Sequence, residues 1–460
     1  MQKIVVKFGG SNLKNTDDVD KIVSTVKKYN RPLVIVVSAF YGITNYLTES
    51  VRLVPENKEK IRDLTSFLTE MKGEIIEKHI VKGAAQDSAA GYVEERLKKL
   101  EQYLFGIHYI EEVPEFVRDV VLSYGERLSS IVLTSILKAK GVDAVEMLPE
   151  DLGLITNGEY GNASVDFEKS SDNVWKNLRD ERTYVVPGFY GISESGKVTL
   201  LGRGGSDYSA ACIAKCINAE SLDIWKDVDG FMSGDPKIVE NPVRITDLTY
   251  KEAAELAYFG ASILHPRTVE PLMGSGLAIR IMNITGTENE IKPITTILET
   301  TRSNEKGIKS VTYSDDFGLV KVAGPGVGIH HGILARVATR LDEENINIKS
   351  VVTSQISINL YLKDNDVEHA YRVLSQMKIP TVEAVIQEKD LAIIALVGES
   401  LLETPAVTHR MISSMTEKGI HMHIVSIGAS DVAAYFVVDR ADMEQAVKEV
   451  HAAFFTRRKI

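Results

Sequence analysis

Residues 3–11 read KIVVKFGGS, and residues 31–40 read RPLVIVVSAF. Both stretches contain short runs of apolar, largely β-branched residues, and the segment between them, DDVDKIVSTVKKY, has apolar residues at helical spacing. Two strands that are apolar throughout and are joined by a helix predict a parallel sheet covered on both faces. The first part of the chain is therefore predicted to have an α/β fold.

Further apolar runs extend this α/β block towards residue 300. Strands are predicted for TYVVPGFYGI (183–192), KVTLLG (197–202) and LAIRIMNI (277–284), and a strand that runs into a turn for SLDIWKDVDGF (221–231). A helix ending near Gly260 is predicted for YKEAAELAYFGASILHP (250–266). Residues from about 50 to 140 are rich in Leu, Glu and Lys at helical spacing and predict a helical layer. The polar segment ETTRSNEKG near residue 300 predicts a linker, so the first domain is expected to span residues 1–300.

The last third of the chain contains a weak internal repeat. The stretch that begins LVKVAGPGVG at Leu319 resembles the one that begins LAIIALVGES at Leu391. Each copy has the pattern strand, glycine turn, helix, strand, hairpin, strand, which predicts a ferredoxin-like βαββαβ unit. We expect one unit at 310–388 and a second at 389–460, with the alternative that the C-terminal end completes the first unit.

The composition narrows the functional classes. The 460 residues include 64 Asp and Glu against 53 Lys and Arg, a net charge of −11, which disfavours a nucleic-acid partner. No long apolar run is present, so we expect neither a membrane span nor a signal peptide. The two cysteines, Cys212 and Cys216, lie in the apolar stretch AACIAKC and are expected to be buried thiols rather than metal ligands. A cytoplasmic protein is expected because a secreted disulfide framework would need more cysteines.

Glycines follow two of the predicted strands, and charged side chains accompany them. Paired glycines after Lys7 allow backbone N–H groups to face a phosphate, although a tight turn has the same pattern. In LLGRGGSDYSAA (200–211), Arg203 suits a carboxylate because its planar guanidinium can bind both oxygens. Ser206 and Asp207 in the same stretch are also good helix N-cap residues, so part of their role is expected to be structural.

Four other polar positions are also candidates. Ser38 and Thr44 follow the second apolar strand, where hydroxyl groups could bind a polar substrate or simply form a turn. Glu126 in SYGERLSS could hold an ammonium group, although a surface glutamate is the ordinary interpretation. Asp227 in WKDVDGFMSGDPK could line a nucleotide, although Asp-Gly and Asp-Pro pairs commonly form turns.

Considered together, these segments resemble one family over nearly the whole chain. The chain resembles the aspartate kinases, of the amino-acid kinase superfamily with two C-terminal ACT units, in VVKFGGS (5–11), VVVSAFYGITN (35–45), SYGERLSS (123–130), PGFYG (187–191), LLGRGGSDYSAA (200–211), WKDVDGF (225–231) and YFGASILHP (258–266). The resemblance implies the amino-acid kinase fold followed by two ACT units. It also implies phosphorylation of the β-carboxylate of L-aspartate by ATP with Mg²⁺, the first step towards lysine, threonine and methionine, with feedback through the ACT units.

The resemblance also assigns residues to roles. It implies catalytic roles for Lys7 and Asp207. It implies a substrate pocket formed by Ser38, Thr44, Glu126, Phe189, Arg203 and Ser206. It implies ATP contacts from Lys7, Phe8, Gly9, Gly10, Ser11, Lys226, Asp227, Phe231, Met232, Lys237 and Ser262. It implies effector contacts from Gly332, Ile333, Leu334, Thr353, Ser354 and Gln355.

The chain departs from the family pattern in both parts. Lys226, Met232 and Ser262 stand where relatives usually have Thr, Tyr and Lys, so we expect weakened ATP affinity, with Lys226 restoring charge from the other side. Lys349 and Gln355 stand where lysine-inhibited relatives have an Asp and a Glu, which disfavours lysine as the effector and leaves threonine or no effector open.

Assembly and chain length follow from the resemblance as expectations. A homodimer through the ACT units is expected, and the chain is either a monofunctional enzyme or the kinase part of a fusion with homoserine dehydrogenase. Two alternatives remain: another amino-acid kinase, acting on glutamate, acetylglutamate, carbamate or UMP, and an amino-acid sensor that lost turnover.

Overall fold

The computed structural model describes residues 2–261, 263–286, 291–301, 307–399, 401 and 405–456. It divides into two compact units. The first consists of Met1–Phe231, Ile245–Ala254 and Ser262–Ser303. The second consists of Met232–Arg244, Glu255–Ala261 and Asn304–Ile460. The second unit therefore takes two short segments from the part of the sequence that was assigned to the first domain.

The first unit contains a large, mostly parallel sheet and a small sheet. The strands are β1 (Ile4–Phe8), β2 (Leu33–Val37), β3 (Ala144–Glu146), β4 (Ile155–Thr156), β5 (Thr183–Pro187), β6 (Tyr190–Ser193), β7 (Val198–Leu200), β8 (Ser221–Lys226), β9 (Asp247–Thr249), β10 (Ala278–Asn283) and β11 (Thr295–Leu298). The large sheet has the order β3-β5-β2-β1-β8-β10-β11-β9, and the small one β4-β6-β7. Strands β3, β5, β2, β1, β8 and β10 are parallel, as the apolar strands predicted.

Helices surround this sheet. They are α1 (Thr16–Tyr29), α2 (Ile43–Leu53), α3 (Glu59–His79), α4 (Ala84–Ile110), α5 (Glu115–Ala139), α6 (Pro149–Leu152), α7 (Phe167–Asn177), α8 (Gly205–Cys216), α9 (Tyr250–Tyr258) and α10 (Pro266–Val269). Helices α2 to α5 form the predicted helical layer, and their buried Leu, Ile and Val side chains share one core with β1 and β2. Burial of this apolar surface is the main force that holds the layer on the sheet.

Helix α5 is long and apolar enough to cross a membrane by length and composition, but 83% of its apolar window is buried within the described fold. Such burial is typical of a core helix. Its buried residues include Glu126, which is why this glutamate is not the surface residue that its helix pattern suggested.

One predicted strand is divided in two, and the break lies beside the candidate site. The run 183–192 forms β5 and β6 rather than one strand, because Phe189 adopts a φ of +75°. A Cβ on Gly188 would lie 2.8 Å from the Cβ of Ser206, so only glycine allows the chain to turn this close to α8. The run 221–231 forms a strand up to Lys226 and then bends, as predicted.

The second unit contains a single antiparallel sheet. Its strands are β12 (Gly307–Ala323), β13 (Ser350–Ser354), β14 (Ser357–Leu362), β15 (Ala384–Glu399), β16 (Ile424–Ser426) and β17 (Ala433–Asp439), in the order β13-β14-β12-β15-β17-β16. Its helices are α11 (Ile333–Glu343), α12 (Asp364–Ser375), α13 (Pro405–Thr416) and α14 (Met443–His451). Two apolar cores lie under these helices.

The two βαββαβ units share their central strands. The second half of β12 pairs with β14 and with the first half of β15, which completes the first βαββαβ unit. The first half of β12 pairs with the second half of β15, which pairs with β17, so residues 307–314 supply the last strand of the second βαββαβ unit. The alternative that the C-terminal end completes the first βαββαβ unit does not agree with these hydrogen bonds, because the described residues after Asp439 form helical turns.

Candidate active site

The glycine turn after β1 brings Lys7 to the edge of the parallel sheet. Lys7 is buried near the end of β1, between Val36 of β2 and Ile224 of β8. A Cβ on Gly10 would lie 3.2 Å from the carbonyl oxygen of Ala39, so the turn passes close to the segment that follows β2. The carboxyl ends of parallel strands are where such sheets bind ligands, and the predicted phosphate-binding turn lies there.

Lys7 forms a buried ion pair with Asp207, and Lys226 lies on the other side of the same carboxylate. The Lys7 ammonium contacts Asp207 Oδ1, and Lys226 Nζ lies 3.4 Å from Oδ2. Burial alone would raise the pKa of Asp207, but the two lysine charges outweigh it and hold that pKa at about 2. Burial also lowers the pKa of Lys7, against the attraction of Asp207. Whether Lys226 restores charge at the nucleotide stays a prediction, because Ser262 lies outside the described residues.

At Glu126, in contrast to Asp207, burial outweighs the groups that favour the charged form. Its carboxylate is fully buried, and burial raises its pKa to about 8, although N–H groups including that of Ala39, the Ser206 hydroxyl and the charge of Lys7 all favour the ionised form. The Ser206 hydroxyl donates to Glu126 Oε1 at 3.4 Å, and Oε2 has no hydrogen-bond partner in the described part of the chain. A buried acceptor with a free oxygen suits a cationic group such as a substrate ammonium.

These residues line one cavity of about 610 Å³. Its lining includes the predicted residues Lys7, Gly10, Ser38, Thr44, Glu126, Phe189, Arg203, Ser206 and Asp207. Arg203 is exposed at the cavity, and within the described residues no carboxylate pairs with it. Its guanidinium is therefore available for an anionic ligand.

Helix α8 begins differently from the prediction. The N-cap is Gly204 in a left-handed conformation, with no side-chain cap, so Ser206 and Asp207 are not cap residues. They occupy the first turn, and their side chains reach Glu126 and Lys7 instead. A Cβ on Gly204 would lie 2.4 Å from Cγ of His265, which explains the glycine at this cap. The N-terminus of this helix adds positive potential at the cavity.

The predicted nucleotide residues fall into three groups. Phe8, Gly9, Ser11, Lys226, Asp227 and Phe231 belong to the first unit, Met232 and Lys237 to the second, and Ser262 lies outside the described residues. Asp227 accepts a hydrogen bond from Lys14 Nζ at 2.8 Å, which connects the turn after β8 to the glycine turn. Phe231 is buried, and Lys237 is exposed.

Three residues near the site were missed by the sequence analysis. Arg118 lines the cavity and precedes Glu126 by eight residues on α5, so their shared helix face could have identified it. Lys14 contacts Asp227 but has no local motif of its own. Lys72 of α3 is fully buried near Phe40, and only the tertiary structure brings it there.

The predicted effector residues lie together in the second unit. Gly332 caps α11, Ile333 is buried, and Leu334 is exposed. Thr353, Ser354 and Gln355 form the end of β13 and its turn, where a Cβ on Gly328 would meet the carbonyl oxygen of Ser354 at 1.9 Å. The glycine-rich loop before α11 and the β13 hairpin are therefore in close contact.

Both cysteines lie on α8, outside the residues that line the cavity. Cys212 and Cys216 are buried free thiols, as predicted, and burial raises the pKa of both. Within the described ranges no group of three or more His, Cys, Asp or Glu side chains could hold a metal ion.

Comparison with known proteins identifies the family. Residues 2–283 match the amino acid kinase family, and residues 320–377 and 394–454 match the ACT domain. Aspartokinase 1 from Arabidopsis thaliana chloroplasts is 30% identical over 98% of this chain and 80% of its own. The bifunctional aspartokinase/homoserine dehydrogenase of Buchnera aphidicola is 26% identical over 99% of this chain, which spans only 57% of that relative's length.

Solved structures agree with this assignment. E. coli aspartokinase III in complex with aspartate and ADP has a TM-score of 0.83 and 25% identity, covering 99% of this chain and all of that one. The same enzyme with lysine and aspartate has a TM-score of 0.79. The chain therefore belongs to the amino acid kinase family and, within it, to the aspartokinases with C-terminal ACT domains.

Proposed function

We propose that this aspartokinase chain transfers the γ-phosphoryl group of ATP to the β-carboxylate of L-aspartate, the first step towards lysine, threonine and methionine. The proposal rests on one observation: one cavity is lined by the Lys7–Asp207 pair, Glu126, Ser206 and Arg203. Two cationic groups and one buried acceptor complement an α-amino acid with a second carboxylate. The similarity to an E. coli enzyme whose structure holds aspartate and ADP supports these substrates.

The reaction needs no general base from the protein. The side-chain carboxyl of aspartate has an ordinary pKa of about 3.9, so the acceptor is already an anion at neutral pH. Its oxygen attacks the γ-phosphorus, the bond from that phosphorus to the bridging oxygen breaks, and ADP leaves. The protein's contribution is to position two anions and to offset their charge. Lys7 is suited to this role because Asp207 holds its ammonium at the cavity.

The acceptor end of the cavity fixes the orientation of aspartate. We assign the substrate α-carboxylate to Arg203, which is unpaired in the described residues, and the ammonium to Glu126, whose Oε2 is free. Ser38, Thr44 and Phe189 complete the walls. With both α-groups fixed, the length of the side chain decides whether its carboxylate reaches the phosphoryl group, which is how the site would reject glutamate.

The nucleotide is proposed to bind along the turns after β1 and β8. The backbone of Gly9 and Gly10 and the side chains of Ser11, Lys226 and Asp227 are near one another there. Both Asp207 oxygens face lysines, so this donor set does not fit a directly bound Mg²⁺. Mg²⁺ would instead arrive on the phosphate oxygens of ATP and supply charge neutralisation there.

Regulation through the second unit is proposed as well. Lysine is bound in one E. coli neighbour. Here Lys349 donates to the Asp316 carbonyl at 2.7 Å, at the end of β13 opposite to Thr353, Ser354 and Gln355, so the expected like charge does not lie beside the predicted effector residues. Lysine, threonine and no effector therefore remain the alternatives. The edge strands β13 and β16 leave Val351 and Val425 exposed, and a homodimer would cover such edges. Light scattering would test the dimer, and cytoplasmic localisation remains a proposal.

An ADP-release assay tests the function directly. Purified protein is given MgATP with L-aspartate, L-glutamate, N-acetylglutamate, carbamate or UMP, and then lysine and threonine are added singly and together. ADP formation that depends on aspartate supports the proposal, and inhibition by one amino acid names the effector. Activity with another acceptor alone would make the chain a different amino-acid kinase. Amino-acid binding by calorimetry without ATP consumption would make it a sensor.

A further inference from the structure

Arg267 lies outside the cavity but contacts two segments that border it. It belongs to α10, is partly buried, and does not line the cavity. Its guanidinium donates to the carbonyl oxygen of Leu201 and, at 2.9 Å, to that of Ala163. One planar side chain therefore joins residues 201–204, which we call the Arg203 turn, to the segment 161–164.

Three further contacts hold the same guanidinium. It donates to Asn162 Oδ1 at 3.0 Å and to Ser164 Oγ at 3.2 Å. Its central carbon lies 4.3 Å from the centroid of the Tyr208 ring on α8, which is a cation–π contact. All four hydrogen-bond acceptors are uncharged oxygens, so the junction depends on the fork geometry of the guanidinium donors.

The Arg203 turn is rich in glycine and therefore needs support from outside. Gly202 and Gly204 flank Arg203 and have φ values of +73° and +71°. Glycine loses more conformational freedom on folding than any other residue, so this turn is not rigid by itself. A Cβ on Gly202 would lie 2.4 Å from Asn162 Oδ1 and 3.4 Å from Nη1 of Arg267. The bonded pair of side chains thus packs directly against the backbone of the turn.

The turn is also held on its other side and at its start. A Cβ on Gly204 would lie 2.4 Å from Cγ of His265, in the residues just before α10. The backbone N–H of Leu201 donates to the carbonyl of Phe189 at 2.8 Å. The backbone is therefore fixed on both sides of Arg203, whose own side chain is exposed at the cavity.

We propose that Arg267 is a positioning residue for Arg203. By joining the Arg203 turn to the segment 161–164, it fixes the backbone from which the Arg203 guanidinium reaches the substrate α-carboxylate. The inference rests on the proposed function, because it takes Arg203 as the group that binds this carboxylate. A paired guanidinium and carboxylate tolerate little displacement, so a shift of the turn weakens aspartate binding.

The test compares Arg267→Lys and Arg267→Met in the full chain, with the aspartate KM, the ATP KM and kcat measured for each. Lysine keeps the charge but lacks the fork that reaches both segments, and methionine removes the charge and the donors. We expect both variants to raise the aspartate KM roughly fivefold to twentyfold, and to change the ATP KM and kcat less than about threefold. A rise for methionine alone would show that the charge acts rather than the fork, and would overturn the positioning role.

Arg280→Lys is the matched control. Arg280 of β10 is also partly buried, makes two hydrogen bonds with Asp223, and does not line the cavity. Its variant should lower the melting temperature and leave the aspartate KM unchanged, because the Arg203 turn keeps its support.

Asn162→Ala is a second test variant that should fold, because Asn162 is exposed. It removes one acceptor of Arg267 and the side chain that packs on Gly202. The aspartate KM should rise about twofold to fourfold, less than for the Arg267 variants, because the other bonds of the junction remain.

The double variant Arg267→Lys with Arg203→Ala shows whether the effect passes through Arg203. Once Arg203 is absent, Arg267→Lys should raise the aspartate KM no further. A further rise as large as that of the single variant would mean that Arg267 acts independently of Arg203, and would overturn the inference.

The outcomes separate the inference from the proposed function. If Arg203→Ala raises the aspartate KM of an active enzyme while Arg267→Lys and Asn162→Ala keep the wild-type value, Arg267 is structural only and the inference alone is overturned. If the wild type forms no aspartate-dependent ADP, the proposed function and the inference fall together. Should the Arg267 variants not fold, Asn162→Ala, alone and with Arg203→Ala, decides the question by the same comparison.

Discussion

The two ends of the cavity contain carboxyl groups that are both buried but differ in the pH at which they ionise. Asp207 faces two lysines and has a pKa of about 2, whereas Glu126 receives weaker support and has a pKa of about 8. Burial raises both values, so the difference comes from the countercharges. The comparison shows that one cavity can hold a permanent anion at the phosphoryl end and a titrating acceptor at the ammonium end.

The largest expected effect is at the phosphoryl end. Lys7→Ala should lower kcat roughly 10²–10³-fold and change the KM for ATP much less, because the lysine stabilises charge that develops during transfer. The variant also leaves Asp207 facing Lys226 alone. Steady-state kinetics give both constants. Lys3→Ala, just before β1, is the control and should have nearly normal kcat; a normal kcat for Lys7→Ala would remove Lys7 from the mechanism.

Arg203→Ala tests the acceptor end. Because charge-assisted hydrogen bonds are worth about 1.5–3 kcal/mol, the aspartate KM should rise roughly 10–100-fold with a smaller change in kcat. Arg182→Ala, an exposed arginine paired with Asp180, is the control. An aspartate KM equal to that of the wild type would show that Arg203 does not bind the substrate carboxylate.

The pH dependence sharpens the contrast between the two carboxylates. Since Glu126 must be ionised to bind an ammonium, kcat/KM for aspartate should rise through about pH 8 and level off only above it, and Glu126→Gln should abolish this limb. Asp207, with a pKa of about 2, should contribute no limb above pH 5. A flat wild-type profile between pH 6 and pH 8 would contradict the assignment of Glu126.

The two carboxyl groups should also affect the stability of the fold over different pH ranges. The folded-state pKa of Glu126 lies above its ordinary value of 4.5, so its contribution to stability is lost as the pH rises through about 8. The folded-state pKa of Asp207 lies below 3.8, so its contribution is lost only as the pH falls towards 2. Glu126→Gln should therefore raise the melting temperature more at pH 9 than at pH 6, whereas a uniform shift would count against the burial effect.

The smallest expected effect is at Ser206. Its hydroxyl donates to Glu126 at 3.4 Å, a long hydrogen bond, so Ser206→Ala should raise the aspartate KM by about twofold to fivefold. Ser129→Ala on α5 is the control, because that buried hydroxyl donates to the Gly125 carbonyl within the helix. A larger effect on kcat than on KM would place Ser206 at the phosphoryl end instead.

Much of the fold was predictable because its signals are local. The apolar runs of β1 and β2 with a helix between them predicted the parallel sheet, and the repeat beginning at Leu319 and Leu391 predicted two similar units. The sharing of β12 and β15 was not predictable, because strand pairing depends on hydrogen bonds between segments far apart in sequence. The break at Phe189 was likewise missed, because it depends on the approach of α8.

The sequence alone determined which residue types follow each strand, since glycines, lysines and hydroxyl groups next to apolar runs are visible without a structure. It predicted Lys7, Arg203 and Asp207 as candidates for that reason. Only the tertiary structure decided which groups surround them and how deeply they are buried. It places Lys226 beside Asp207, buries Glu126 fully, and puts Lys72 against the Phe40 ring. The physical reason is that desolvation and Coulomb interactions depend on distance in space, which sequence separation does not reveal.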